Sequence, residues 1–223
     1  QGLFSQLEAK VQFPLGAWLP YSAVVPMRNA TRILPGPYRV KQVDVQGKAI
    51  QSNAAAVNIY RGAGRPEAAL LMERLVERAA RAAGIDPVEL RLRNLIVAQD
   101  MRYKTSTCNV FDAGDYAQVL RQACEQLGYE AARQSQANRR AAGEVVGIGL
   151  AVYVEPCGQG WESARVTLQT DGKVLVHSGS SGQGQGHETT FATIAAEALG
   201  CAAGQVTVIQ GDTRTCPDGI GAL

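Results

Sequence analysis

The stretch Tyr60-Arg-Gly-Ala-Gly-Arg-Pro-Glu67 constrains this chain more than any other, because it joins a glycine loop directly to a helix start. Gly62 and Gly64 carry no side chain, so the backbone there can take positive φ and let another group approach closely. Arg61 and Arg65 bracket them with permanent charge and forked donors that suit anionic oxygens. Pro66 fits the first helical position and Glu67 the first turn, which predicts a helix over residues 66–83. Unpaired backbone N–H groups and the positive helix end would then meet an anion at the loop. The alternative is an ordinary capped loop. Leu70, Leu71, Leu75 and Ala79 are the expected buried face of this helix. Gly84 should end it, and Asp86-Pro87 should start a short helix to about residue 95.

A second loop has the same parts in a different order. In Val174-Leu-Val-His-Ser-Gly-Ser-Ser-Gly-Gln-Gly-Gln-Gly-His-Glu-Thr189, an apolar strand runs into four glycines and then into a helix predicted over residues 188–199. No Gly-Lys-Ser/Thr follows, so this is not a Walker loop. Three residues beyond Gly186 stands Thr189, so it is not a dinucleotide fingerprint either. What it offers is backbone donors plus Gln183 and Gln185, whose amides both donate and accept. That set suits a polar heterocycle or a pyrophosphate better than a bare phosphate, and a flexible surface loop is the alternative.

Composition removes several classes of function. With 46% hydrophobic and 19% charged residues the chain has a globular balance, enough for one or two domains. A net charge of +2 gives no general case for nucleic-acid or membrane binding. The densest basic run, Arg133-Gln-Ser-Gln-Ala-Asn-Arg-Arg140, reads as a solvated helix face. The cysteines (Cys108, Cys124, Cys157, Cys201, Cys216) are odd in number and widely spaced, which fits reduced thiols in a cytoplasmic protein. Glu155-Pro-Cys-Gly158 lacks the second cysteine and the His-x-Glu of a deaminase. His177 and His187 are too few for a histidine metal site; His177 is expected in a strand with its hydrogen bond satisfied, His187 at a helix start closing the glycine loop. No apolar run is long enough to cross a bilayer, and no signal-peptide pattern opens the chain.

Elsewhere the pattern is mixed. The first sixty residues hold too many prolines for long helices. Residues 39–45 alternate as a strand, with a turn expected near Gln46-Gly47. A boundary is expected between residues 98 and 109. Helices follow over 112–127, with Tyr116, Val119, Leu120, Ala123 and Leu127 on one face, and over 130–142. Residues 145–154 read as a buried strand. Asp171-Gly172 marks a hairpin between strands 165–169 and 173–177. A last strand is expected over 205–210. The class is α+β, with helices packed on mixed, largely antiparallel sheets.

Taken together, these residues resemble the molybdenum-binding large subunit of the molybdenum hydroxylases, the family of xanthine dehydrogenase, aldehyde oxidoreductase and aerobic carbon monoxide dehydrogenase. The matching stretches are Gly36-Pro-Tyr38, the Tyr60 motif, Asp86-Pro-Val-Glu-Leu-Arg-Leu-Arg-Asn94, Gly147-Ile-Gly-Leu-Ala-Val-Tyr-Val-Glu155, the Gly182 loop, and Gly211-Asp-Thr213 with Cys216-Pro-Asp-Gly219. They fall in family order over nearly the whole chain.

The resemblance implies two incomplete molybdopterin-binding domains, residues 1–98 and 99–223. It implies that Arg61, with Gly62 and Ala63, lies beside the molybdenum centre, and that Gln183, Gly184 and Gln185 hold the pterin. It implies molybdopterin cytosine dinucleotide with molybdenum as cofactor, and iron–sulfur and FAD groups on partner subunits only, an iron–sulfur subunit and a flavin subunit. The implied reaction inserts a water-derived oxygen at an electron-poor carbon of an aldehyde or N-heterocycle, or at carbon monoxide, with electrons leaving through molybdenum. Two departures narrow this. Where the copper-containing carbon monoxide enzymes place a bridging cysteine stands Gly62, which offers no thiolate. Where the purine-oxidising enzymes place a phenylalanine stands Ala63, which cannot pack on a purine ring. The family's general-base glutamate falls outside residues 1–223, so the chain is expected to be an internal piece of a larger subunit and inactive alone. The competing reading is a non-catalytic domain that binds a nucleotide or a protein; a phosphate-handling enzyme lacks its lysine and its acidic cluster.

Overall fold

Alternation at Leu7, Ala9, Val11, Phe13 and Leu15 turns one side of a strand, β1 (Gln6–Gly16), toward the core. In the computed structural model, which describes residues 2–156, 158 and 160–220, the chain forms two compact units, Gln1–Glu155 and Pro156–Leu223. Cys157 lies outside the described residues.

In the first unit β1 pairs in parallel with β2 (Gln42–Gln51), and the crossover between them carries the helix α1 (Val25–Ile33). The expected turn at Gln46-Gly47 is absent: β2 runs straight through, with Gly47 opposite Val11. A Cβ on Gly47 would lie 2.6 Å from the Met27 sulfur and 2.8 Å from Thr31 Cγ2, so this glycine lets α1 sit down on the strand. Helix α2 (Arg65–Ala83) starts one residue before the predicted Pro66, which takes its second position, and stops at left-handed Gly84 as its sequence predicts. Its buried face does not follow prediction. Ala68, Met72, Val76 and Ala80 enter the core, Leu71 and Ala79 flank them, and Leu70 and Leu75 are exposed. Two apolar stripes overlap on this helix, and both α1 and the helix that follows α2 pack against it.

Helix α3 (Pro87–Asn94) is capped by Asp86, whose carboxylate accepts from Val88 N and Glu89 N. A short antiparallel pair, β3 (Tyr103–Lys104) and β4 (Val110–Phe111), precedes α4 (Tyr116–Leu127) and α5 (Tyr129–Ala141). Of the predicted α4 face only Leu120 is fully buried, and Val119 and Leu127 are exposed. On α5, Arg139 pairs with Glu144 at 2.7 Å and the run around it is mostly exposed, a solvated face. At its start the Tyr129 hydroxyl donates to Asp86 Oδ2 at 3.0 Å. Burial, then that hydrogen bond and the charge of Asp86, push the Tyr129 hydroxyl up to about 12. The folded chain therefore holds this proton more tightly than the unfolded chain. The resulting stability is complete below the ordinary tyrosine range near 10 and is lost as pH rises toward 12. Tyr129→Phe should flatten that alkaline limb in urea unfolding followed against pH.

Residues 145–154 form no strand ladder, against expectation. Their burial alternates between half-buried and exposed, and their backbone is tied to side chains instead of a neighbouring strand. Glu73 Oε2 accepts from Val152 N at 3.0 Å, and Arg91 Nη2 donates to the Leu150 carbonyl at 3.0 Å.

The second unit is a three-stranded sheet. β5 (Ala164–Leu168) and β6 (Val174–Ser178) form the expected hairpin, and β7 (Val206–Ile209) joins β6 in parallel. Helix α6 (His187–Leu199) covers one face, with Ala192, Ala195 and Ala196 against Val174, Val176 and Val206. Helices on small mixed sheets make the chain α+β, as predicted.

Candidate functional site

The first loop is built by its glycines. Gly62, Ala63 and Gly64 all have positive φ, at 95°, 43° and 89°. A Cβ on Gly64 would lie 1.8 Å from the Pro26 carbonyl oxygen, so the loop rests directly on the start of α1. Two of its amides turn inward: Ala63 N donates to Tyr60 O at 2.7 Å and Arg65 N to Gly62 O at 3.1 Å. The expected anion cradle of backbone donors is therefore partly used up by the loop itself. A side chain at Gly62 would also meet Pro66 Cγ at 2.7 Å, so a cysteine there would need the loop to rearrange.

The two arginines divide. Arg65 Nη1 pairs with Glu155 Oε1 at 3.0 Å and leans on its own loop. Arg61 is exposed and takes part in no ion pair among the described residues. It opens onto a groove of about 820 Å³ along α2, lined also by Arg74, Arg78 and Arg81 and floored by Leu70 and Ile148.

Beneath the groove lies a buried polar cluster that sequence reading missed. Arg91 has no exposed surface and Glu73 only 5%, and their side chains meet at 3.0 Å. The Tyr38 hydroxyl donates to Glu73 Oε1, and Arg91 also reaches Glu77 at 3.3 Å and the Pro87 carbonyl at 3.0 Å. Burial, and next the Glu73 carboxylate, hold the Tyr38 hydroxyl well above its ordinary range. For Arg91, burial pulls the guanidinium down, but Glu73, Tyr38 and Glu77 outweigh it and leave it raised. The cluster ties the 148–155 segment to α2, and that segment ends at the carboxylate of Glu155 that fixes Arg65.

The second loop, on the other unit, lies between β6 and α6. Gly184 and Gly186 have φ of 103° and 78°, and a Cβ built on either would meet nothing within 4 Å. Open space therefore stands on that side of the loop, at the positive end of a 13-residue helix. Gln185 Oε1 accepts from Gln183 N, so the predicted glutamines brace one another. Gly182 N donates to Gln210 Oε1 at 2.9 Å, and Gln210 Nε2 donates to Glu188 Oε1. Gln210 went unnoticed in the sequence because it lies 28 residues from Gly182.

His187 begins α6 as expected and stacks on Phe191 at 4.8 Å. His177 lies in β6, but its expected hydrogen bond is not there: Nδ1 of both histidines is buried without a partner among the described residues. The Gly182 and Gln183 amides are spent within the protein. The Gln183 and Gln185 carboxamides, a helix N-terminus and free space beside Gly184 and Gly186 make a set that fits the polar edge of a pterin. Arg61, Gly62 and Ala63 fall on one unit and Gln183, Gly184 and Gln185 on the other.

Comparison with known proteins identifies the kind of domain. Two family models, each described as a molybdopterin cofactor-binding domain, match residues 1–95 and 122–223. The 6-hydroxypseudooxynicotine dehydrogenase complex subunit gamma of Paenarthrobacter nicotinovorans is 34% identical over 85% of this chain and 25% of its own length. The carbon monoxide dehydrogenase large chain of Hydrogenophaga pseudoflava is 32% identical over 85% of this chain and 26% of its own. Quinoline 2-oxidoreductase from Pseudomonas putida 86 superposes with a TM-score of 0.87 at 32% identity, over 100% of this chain and 30% of that one. The chain thus spans about a quarter of the length of the curated relatives it matches.

Proposed function

Because the chain belongs to the molybdenum hydroxylase large subunits, through their molybdopterin cofactor-binding domains, we propose that it supplies one wall of the cofactor pocket in an oxidoreductase of several subunits. The observation that carries this reading is the glycine loop before α6, open on the side of Gly184 and Gly186 and lined by two carboxamides. Gln183, Gly184 and Gln185 hold the pterin. The α6 N-terminus takes the pyrophosphate of a cytosine dinucleotide form. Arg61, with Gly62 and Ala63 beside it, faces the substrate near the metal. Arg65, held by Glu155, keeps that loop in shape. When bound, the cofactor supplies two-electron oxidation with water as the oxygen source. This chain's residues bind it, orient it and present one cationic side chain to the substrate.

Residues 1–98 close a first cofactor-binding domain and 99–223 open a second, a division supported by the two matched spans. Substrates are aldehydes or N-heterocycles in preference to carbon monoxide, since Gly62 offers no soft ligand and leaves no room for one. The general base lies elsewhere in the subunit. Electrons pass to an iron–sulfur subunit and a flavin subunit, in the cytoplasm; the odd cysteine count and its spacing support that compartment. No helix of the described residues is long and apolar enough to cross a membrane.

The test is to purify the complete gene product with its partners and measure molybdenum and the nucleotide released by hydrolysis. Cytidine monophosphate and molybdenum in equal amounts are expected; a product free of both is a binding module. Gln185→Ala should lower molybdenum content about tenfold, the scale of losing one or two hydrogen bonds to a ligand. Its effect on unfolding of the cofactor-free protein should stay within about 0.5 kcal/mol. Full molybdenum content in that variant would take Gln185 out of the site.

A further inference from the structure

We infer that Gln210 is a positioning residue that sets the shape of the cofactor loop, an inference that rests on the cofactor reading above. Gln210 stands just beyond the last strand residue of β7, where Gly211 follows with φ of 75°. Its carboxamide reaches across to the loop. The oxygen accepts from Gly182 N at 2.9 Å, and the nitrogen donates to the Glu188 carboxylate in the first turn of α6. One side chain thus joins the end of β7, the start of the glycine loop and the start of the following helix.

Two further features fit this role. A Cβ on Gly182 would lie 3.1 Å from Gln210 Nε2 and 3.6 Å from Oε1, so glycine at 182 is what lets the amide come this close. The polarity of the bridge also selects its residue. The position must accept from an amide on one side and donate to a carboxylate on the other, which a carboxamide does and a carboxylate cannot. Pinned at Gly182 and at Glu188, residues 182–188 present Gln183, Gly184 and Gln185 from a loop whose two ends are fixed. The Gln210 carboxamide is engaged by Gly182 and Glu188, so it acts through the loop.

The bridge can be reversed chemically, and that gives the test. Gln210→Glu alone brings two carboxylates into hydrogen-bonding range, where both cannot stay ionised at no cost. Gln210→Glu combined with Glu188→Gln restores the pattern: the new carboxylate accepts from Gly182 N and from the new amide. Gln210→Met removes both hydrogen bonds and adds no charge. In the complete subunit with its partners, two quantities are read: cytidine monophosphate per polypeptide, and hydrogen exchange of amides in residues 181–187.

Gln210→Glu should cut nucleotide retention roughly tenfold and speed exchange in that segment, with Gln210→Met intermediate. The double variant should return to within about threefold of the parent. Normal retention and exchange in both single variants overturns the assignment, and so does a double variant no better than Gln210→Glu. A parent protein with no nucleotide refutes the cofactor reading. The exchange comparison still decides in that case whether Gln210 shapes the loop.

Discussion

Arg91→Met should destabilise the first unit by about 3–5 kcal/mol, the usual consequence of leaving one member of a buried ion pair alone. Arg91 has no exposed surface, and without it Glu73 keeps a charge at 5% exposure with only the Tyr38 hydroxyl and Val152 N to face it. The Leu150 and Pro87 carbonyls lose their donor at the same time. Hydrogen exchange of α2 and α3 amides is the appropriate measure, because it reads the first unit without the second. Adding Glu73→Leu should recover part of the loss by removing the stranded charge. It should not recover all of it, since Tyr38, Leu150 and Val152 would still lack partners. A loss below about 1 kcal/mol for Arg91→Met would mean that water enters the cluster and that it does not hold the 148–155 segment.

That cluster marks the limit of what the sequence reveals. Pro66, Gly84, Asp86 and Gly172 act on the backbone beside them, and the ends of α2, the start of α3 and the β5–β6 hairpin follow from them directly. Arg91 and Arg93 stand two apart in one motif. One is wholly buried and the other pairs at the surface with Glu89, and only the packing of α3 on α2 separates them. The β1 strand goes unread in the sequence: its alternation is there, but Pro14 and the prolines after it speak only against long helices. Residues 145–154 mislead in the other direction. Their apolar run promises a buried strand, but a strand needs a neighbour, and here Glu73 and Arg91 take that place. At the candidate site the glycine loops are visible as spacing. Their supports, Glu155 and Gln210, are not, because each lies far along the chain from what it holds.

Gly64→Ala should cost about 3 kcal/mol or more, adding left-handed backbone strain to an overpacked contact. The new Cβ would sit 1.8 Å from the Pro26 carbonyl oxygen and 2.6 Å from its carbon, both backbone atoms that no rotamer change can move. Relief requires α1 or the loop to shift. Gly84→Ala is the control: its φ is also positive, at 64°, but open space surrounds its Cβ position, so it should cost only about 1 kcal/mol. The difference between the two isolates the close approach from the backbone conformation. Because Gly64 and Arg61 share one loop, the same variant should also displace Arg61. Under the proposed assignment of the pterin to the loop before α6, molybdenum content of the complete subunit should then survive while turnover falls. Equal costs for the two variants would show that the loop does not depend on its contact with Pro26, and that Gly64 is there for its φ alone.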